Sequence, residues 1–314
     1  MAARNSQLYR PLGTTGLTVH PIALGALELG RDWAPDVNPD GGHRHSDQKA
    51  AINLVHQAVD AGLNFIDTAP AYGSSEEFLG TALKGRRDRV ILATKFGESW
   101  TAEGGSIYDY SPEGVACSLE KSLRLLQTDY VDLLQIHSAQ VDLLRNGEVW
   151  QSMDRLRREG KVRYLGFSGH IEAGLVGLEV GGWDVIQVPY SLLVPAASEQ
   201  FFGLAQNQGV GVLLMRTLCG GKLSAKYRNL EDPAVRQLIE DLRPLTDNPE
   251  DPASLTDLAI RYALRPQVVS ALLIGTRRFE ALMYAMDAAA RGPLDDERAS
   301  QIESLVRSRN YQVW

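Results

Sequence analysis

Cysteine is scarce in this chain. Cys117 and Cys219 are its only two in 314 residues and lack C-x-x-C spacing, so neither a disulfide framework nor a zinc site is expected. Long apolar runs are missing as well. No segment reaches the ~20 consecutive apolar residues that a bilayer span needs, and MAARNSQLYRPLG holds no apolar stretch of signal-peptide length. The expectation is a cytoplasmic protein without membrane attachment. Positive charge is in deficit, with a formal net charge of -7. No Lys/Arg-rich run interleaves with aromatics to follow a phosphate backbone, so nucleic acid is not an expected partner. No apolar run leads into G-x-G-x-x-G, the dinucleotide signature of a doubly wound sheet. His43 and His45 in GGHRHSDQ have no third ligand nearby, so no metal site is expected there.

What is present is an ordinary globular composition, 44% apolar and 23% charged, at a length that suits one α/β barrel domain over residues 1–314. Eight apolar, β-rich runs recur: HPIALGAL, LNFIDTA, RVILATKF, YVDLLQIH, VRYLGFSG, WDVIQVPYS, GVGVLLMR and VVSALLIGT. Several are apolar at successive positions, as in parallel strands covered on both faces. Segments of helical period lie between them. SPEGVACSLEKSLRLL has Ser111 as N-cap, Pro112 at the first helical position and Val115, Leu119, Leu123 and Leu126 on one stripe. SLTDLAIRYALR opens with Ser254 and Asp257 at capping-box spacing and ends before Pro266. Strand alternating with helix eight times predicts a (β/α)8 TIM barrel. An N-terminal β-hairpin around Gly13 to Gly16 and a C-terminal helix in DDERASQIESLVRS are predicted additions. The longest irregular connections, Glu28 to His45, Gly97 to Tyr110 and Thr217 to Ala253, fall on the face that carries barrel active sites.

Four chemically distinct side chains fall at that rim. Asp67 ends the second run, Tyr72 follows in a short loop closed by Gly73, Lys95 ends the third run and His137 the fourth. A free phenol, with a pKa near 10, is a poor proton donor or acceptor at neutral pH. Lys95 supplies a positive charge that stabilises a phenolate, and Asp67 offsets the cost of burying that charge. His137 is placed to orient or polarise a carbonyl beside the Tyr72 hydroxyl.

With these residues the sequence resembles the aldo-keto reductase family over nearly its whole length, nearer its sugar-dehydrogenase-like and long-loop members than its aldehyde reductases. FIDTAPAYGSSEEFLG resembles the family's Asp and Tyr motif, ATKFG its Lys motif and YVDLLQIHSAQ its His motif. The resemblance implies an oxidoreductase that binds a nicotinamide dinucleotide and interconverts carbonyls and alcohols. Tyr72 would be the proton donor, Lys95 and Asp67 would tune it, and His137 would orient the substrate. Ser168 and Gln187 would bind the carboxamide, and the Tyr190 ring would stack on the nicotinamide. Met215, Arg216, Thr217, Leu218 and Gly220 would lie along the pyrophosphate. Gly275 and Thr276 would bind the adenosine phosphate, with Arg277 and Arg278 on a 2'-phosphate.

The chain departs from the family at Gly169 and Ser191, where Asn is frequent, at Arg216–Leu218, where Ser-Pro-Leu is usual, and at Ala281 and Ala285, where Arg and Asn contact the adenosine end. NADP is the expected cofactor, with NAD as the alternative. A small carbonyl compound or a sugar is the expected substrate, with Trp33, Trp100 and Trp314 as pocket aromatics. Two other classes stand beside this reading: a lyase or aldolase using Lys95 as a Schiff base, and a cofactor-binding regulatory subunit.

Overall fold

The computed structural model describes residues 8–31, 47–101, 105–194 and 199–309; the expectations placed on Trp33, His43, His45 and Trp314 lie outside them. The first elements are β1 (Arg10–Pro11), β2 (Thr18–Val19), β3 (Ile22–Gly25), α1 (Leu27–Gly30), α2 (Gln48–Asp60), β4 (Phe65–Asp67) and α3 (Ser75–Ala82). Next come β5 (Ile91–Phe96), β6 (Glu98–Trp100), β7 (Ser106–Tyr108), α4 (Pro112–Leu126), β8 (Val131–Ile136), α5 (Val141–Asn146), α6 (Glu148–Arg158) and β9 (Val162–Ser168). They are followed by α7 (Ile171–Val180), β10 (Val185–Pro189), α8 (Glu199–Gln208), β11 (Gly211–Met215) and α9 (Pro233–Leu242). The last are α10 (Ser254–Ala263), β12 (Val269–Gly275), α11 (Phe279–Ala290) and α12 (Asp296–Arg309). Strands β3, β4, β5, β8, β9, β10, β11 and β12 close a barrel in that order, with every barrel pair parallel. This is the (β/α)8 architecture that the alternation of runs predicts.

Side chains that alternate along each strand divide the core in two. The inward set includes Ala23, Phe65, Ala93, Leu133, Val185, Leu213 and Ala271 and is joined from below by Leu12 and Val19. The outward set, including Ile22, Ile66, Leu92, Leu134, Val188 and Leu214, packs under the helices. The predicted hairpin is β1 with β2, and it plugs the end where the strands begin. The Thr14 N–H donates to Gly209 O at 2.8 Å, Tyr164 Oη donates to Thr15 O at 2.5 Å, and the Arg10 guanidinium donates to Leu264 O and Val269 O. Among the described residues, the hairpin thus covers the barrel end opposite the rim where the strands finish.

The caps differ in one place from their sequence reading. Ser111 caps α4 as expected, its side chain accepting from Gly114 N. Ser254 instead lies inside α10, whose N-cap is Ala253; Asp251 holds the entry turn by accepting from the N–H groups of Ala253 and Ser254. Asp257 forms no capping box, because its carboxylate faces Arg291 at 2.7 Å. The connections are also more ordered than predicted. Glu98 to Tyr108 contains the β6–β7 hairpin, and Thr217 to Ala253 contains α9 and short 3-10 turns.

Candidate active site

Six inward positions two residues beyond the apolar interior form the upper ring. Asp67 follows Phe65, Lys95 follows Ala93, Gln135 follows Leu133, Ser168 follows Gly166, Gln187 follows Val185 and Met215 follows Leu213. Parity along the strands puts polar side chains in the barrel mouth. Tyr72 reaches the same place from a 3-10 turn, Pro70–Tyr72, that starts on proline and is closed by Gly73 at φ 60°. Gly30 clamps that turn from the other side. A Cβ on Gly30 would lie 1.8 Å from Tyr72 O and 2.4 Å from Ser75 N, so the backbones meet only because no side chain is there. Gly30→Ala is expected to lower stability by about 1–3 kcal/mol through overpacking. It should lower turnover about a hundredfold, the scale of a ~1 Å misplacement. Thermal melts and initial rates check both, and an unchanged melt would remove the clamp.

At the centre, Lys95 Nζ donates to Asp67 Oδ2 at 2.5 Å, to Tyr72 Oη at 3.1 Å and to Thr68 O at 3.1 Å. Gln135 Nε2 donates to the other Asp67 oxygen at 2.8 Å. Lys95 is fully buried and Asp67 nearly so. Burial works against the Lys95 charge, but Asp67 and Tyr72 outweigh it and hold the ammonium above its ordinary range. Burial also pushes the Asp67 carboxyl up, against Lys95 and Gln135. These two directions favour opposite proton positions. The surroundings decide for the ion pair, because Asp67 faces one N–H donor on each oxygen, an arrangement only a carboxylate satisfies. The Tyr72 phenol is pushed up from its ordinary value by burial, with Lys95 opposing and Asp67 reinforcing the rise. Lys95 and Asp67 thus act on Tyr72 in opposite senses, and burial, the largest influence, keeps the phenol above its ordinary value in the absence of substrate.

His137 follows β8, its N–H donating to Phe96 O at 2.9 Å, and its carbonyl accepts from Tyr110 Oη at 2.8 Å. Its ring meets the Tyr72 ring edge-on, with centroids 5.6 Å apart. Burial, Lys95 and Arg31 hold this imidazole well below its ordinary pKa, so it is neutral at pH 7. Aspartate, tyrosine, lysine and histidine therefore come together as one buried cluster.

The residues expected around a nicotinamide separate into two groups. Ser168, Gln187 and Met215 meet, with Ser168 Oγ 3.8 Å and Gln187 Nε2 3.6 Å from Met215 Sδ. Gln187 Oε1 and Thr217 Oγ1 are buried without a protein partner. Tyr190 does not join them. It lies three residues beyond the inward Gln187, on the outer parity, and its ring packs edge-on to Phe202 at 5.0 Å and stacks on Tyr262 at 5.8 Å. As placed, the Tyr190 ring, expected to stack on a nicotinamide, lies apart from Ser168 and Gln187 among the outward core residues, and Met215 is the side chain that meets those two. Beyond it, Arg216 and Gly220 are exposed and Leu218 is half-buried. At the end of β12, Gly275 is exposed and Thr276 Oγ1 accepts from Arg278 N at 3.1 Å. Arg277 Nε donates to Glu28 O at 2.7 Å. Arg278 is the N-cap of α11, whose first turn receives no side-chain cap, leaving N–H groups there for an anion.

Three site residues escaped the sequence reading. Gln135 lies two positions before His137 and pairs in register with Lys95, so strand period alone marks it as inward. Glu98 and Arg31 come from the connections, which have no such period. The Arg31 guanidinium lies 3.9 Å from the centroid of the Trp100 ring, and Trp100, Ile107 and Tyr108 of the β6–β7 hairpin are exposed, Ile107 on the opposite face from the other two. Among the described residues, no cluster of three His, Cys, Asp or Glu side chains is placed to hold a metal, and no helix is long and apolar enough to cross a membrane.

This arrangement has counterparts in known proteins. The family model described as Aldo/keto reductase family matches residues 21–307. The chain is 28% identical over 327 residues to L-galactose dehydrogenase of Arabidopsis thaliana, covering 97% of this chain and 96% of the relative. It is 31% identical over 230 residues to the NADH-specific methylglyoxal reductase of Escherichia coli, covering 68% of each. Among solved structures, the holo form of aldo-keto reductase AKR11C1 from Bacillus halodurans superposes with a TM-score of 0.79 at 29% identity, over 95% of both chains. The barrel, the rim cluster and a family match over nearly the whole chain converge, and the chain belongs to the aldo/keto reductase family, an oxidoreductase of carbonyl and alcohol groups.

Proposed function

We propose that the protein is an NADP-dependent oxidoreductase in which Tyr72 exchanges the proton at the substrate oxygen. One observation carries the reading: Lys95 Nζ bonds Asp67 and Tyr72 Oη at once, inside a buried rim beside His137. When bound, the dinucleotide supplies or accepts the hydride. In reduction, the carbonyl carbon gains that hydride, the C=O π bond opens onto oxygen, and oxygen takes the Tyr72 proton. The phenolate left behind is stabilised by the adjacent ammonium. In oxidation the same phenolate removes the hydroxyl proton. His137 lies beside Tyr72 to orient the substrate oxygen.

The residues present fit such a cofactor. Gln187 Oε1, buried with no protein partner, suits the N–H of a carboxamide, and Ser168 stands next to it. Thr217 Oγ1 suits the pyrophosphate side, and the uncapped start of α11 with Gly275, Thr276 and Arg278 suits a phosphate. A Schiff-base lyase has less support, since such a lysine needs a depressed pKa and Lys95 is shifted upward. The similarity to the L-galactose dehydrogenase of Arabidopsis supports a sugar substrate, and oxidation of such a sugar to its lactone is one direction the reaction would take.

Titration with NADPH and NADH, followed by tryptophan quenching, tests the cofactor. NADPH should bind more tightly. Replacing Arg277 and Arg278 together by Ala should weaken NADPH by about 10- to 100-fold, the worth of charge-assisted bonds to a 2'-phosphate, and leave NADH nearly unchanged. Tighter binding of NADH by the unaltered protein would exchange NADP for NAD, in line with the NADH-specific relative of Escherichia coli, and equal affinities would remove the 2'-phosphate clamp. Binding of neither would remove the oxidoreductase mechanism.

A further inference from the structure

The chain leaves β8 through an unfavourable residue. Ser138, next after His137, takes φ 54°, a left-handed conformation that costs a non-glycine residue energy and clusters at functional sites. On one side the bend is tied to the barrel, where the Ala139 N–H donates to Ser168 O at 2.8 Å. Two bonds from the connection between β5 and α4 hold it from another. Tyr110 Oη donates to His137 O at 2.8 Å, and Ser138 Oγ donates to Glu98 Oε2 at 3.1 Å. Glu98 is 8% exposed, and its other oxygen accepts from Ser106 Oγ at 2.7 Å.

Tyr110 is itself well anchored. The Asp109 N–H donates to Gly97 O at 2.9 Å, Asp109 Oδ1 accepts from Ser111 N at 2.9 Å, and Ser111 caps α4. The Tyr110 ring lies on Gly97, where a Cβ would overlap Cε1 and Cδ1 of the ring, and it stacks on Tyr108 with centroids 6.3 Å apart. Burial, Glu98 and Tyr108 push the Tyr110 phenol up to about 12, so its hydrogen stays in place throughout the neutral range. The proton-transfer scheme does not use this phenol.

Peptide units are planar, so fixing the units on both sides of a Cα fixes its φ and ψ and, with them, the direction of its Cβ. The unit before His137 is held by its N–H on Phe96 O at 2.9 Å. The unit after it is held by Tyr110. Rotation of that second unit would relax φ at Ser138 and swing the imidazole.

We propose that Tyr110 is a positioning residue for the reaction: its hydroxyl holds the His137 carbonyl against the strain at Ser138 and so keeps the imidazole beside Tyr72, where it orients the substrate oxygen. This rests on the oxidoreductase reading above. The connection after β5 thereby sets the geometry of a residue at the end of β8.

Tyr110→Phe keeps the ring on Gly97 and removes the bond to His137 O. With NADPH and DL-glyceraldehyde, kcat should fall about 10- to 100-fold, up to the scale of a ~1 Å misplacement, while the Kd for NADPH stays within about threefold. In a His137→Gln background the same change should cost less than about threefold, because the group it positions is gone; such coupling separates positioning from a general loosening of the fold. Equal losses in the two backgrounds, or no loss in the first, overturn the proposal. A second readout needs no turnover. The ring protons of His137, assigned by their absence in His137→Gln, lie beside the Tyr72 ring, centroids 5.6 Å apart. Their NMR signals should shift in Tyr110→Phe, while those of His20, just before β3 at the other end of the barrel, stay. Unmoved His137 signals overturn the proposal whatever the protein catalyses. An unaltered protein that does not turn over the aldehyde counts against the oxidoreductase reading, and the ring signals then decide whether Tyr110 positions His137.

Discussion

Tyr72→Phe should lower kcat by about two to four powers of ten, the usual worth of a positioned general acid or base, while the Kd for NADPH stays within about a few-fold. The ring, its edge contact with His137 and the Gly30 clamp all survive the change, so the loss is confined to the hydroxyl, its exchangeable proton and the hydrogen bond it accepts from Lys95 Nζ. The pH dependence separates this from a packing effect. Burial raises the Tyr72 pKa, so the phenol is protonated throughout the neutral range. Reduction, which needs the protonated form, should be level across neutral pH and fall only above about 10, the unperturbed phenol value. Oxidation, which needs the phenolate, should climb with pH toward the same region. A Tyr72→Phe enzyme with ordinary turnover and an unchanged profile would take the proton away from Tyr72 and give it to bound water or to His137.

The barrel was legible because two periods agree. Runs apolar at successive positions marked strands covered on both faces, and helical stripes between them supplied the cover. The reacting cluster was legible for the same reason. Asp67, Lys95 and His137 each sit where an apolar run stops, and a barrel brings such ends together. Tyr190 shows the limit of motif reading: alternation from Gln187 already assigns it to the outer face, where Phe202 and Tyr262 receive it, and the same alternation puts Met215 inside. Gln135 was recoverable by counting two back from His137. Glu98 and Arg31 were not, because a hairpin and a short helix with no periodic partner deliver them to the rim. Ser254 failed as a cap for a related reason, since Asp251, three residues earlier, already held that turn.

Lys95→Met should be costly for stability as well as for catalysis. It would leave the Asp67 carboxylate, 2% exposed, with Gln135 as its remaining donor, and stranding one member of a buried pair costs about 3–5 kcal/mol. Removing both charges is a different case. Asp67→Leu combined with Lys95→Met should recover most of that loss in urea titrations at pH 7, because apolar replacement of a buried ion pair is near neutral. Both variants should be as inactive as Tyr72→Phe or more so. The alkaline limb supplies a second check. The folded pKa of Lys95 lies above its unfolded value of about 10.4, so the stability it contributes is complete below that pH and is lost as pH rises through the folded value. The unaltered protein should therefore lose stability there faster than the double variant. If Lys95→Met instead melts like the parent, the carboxyl and the amine share no buried charge, and the ammonium could not be what stabilises a Tyr72 phenolate.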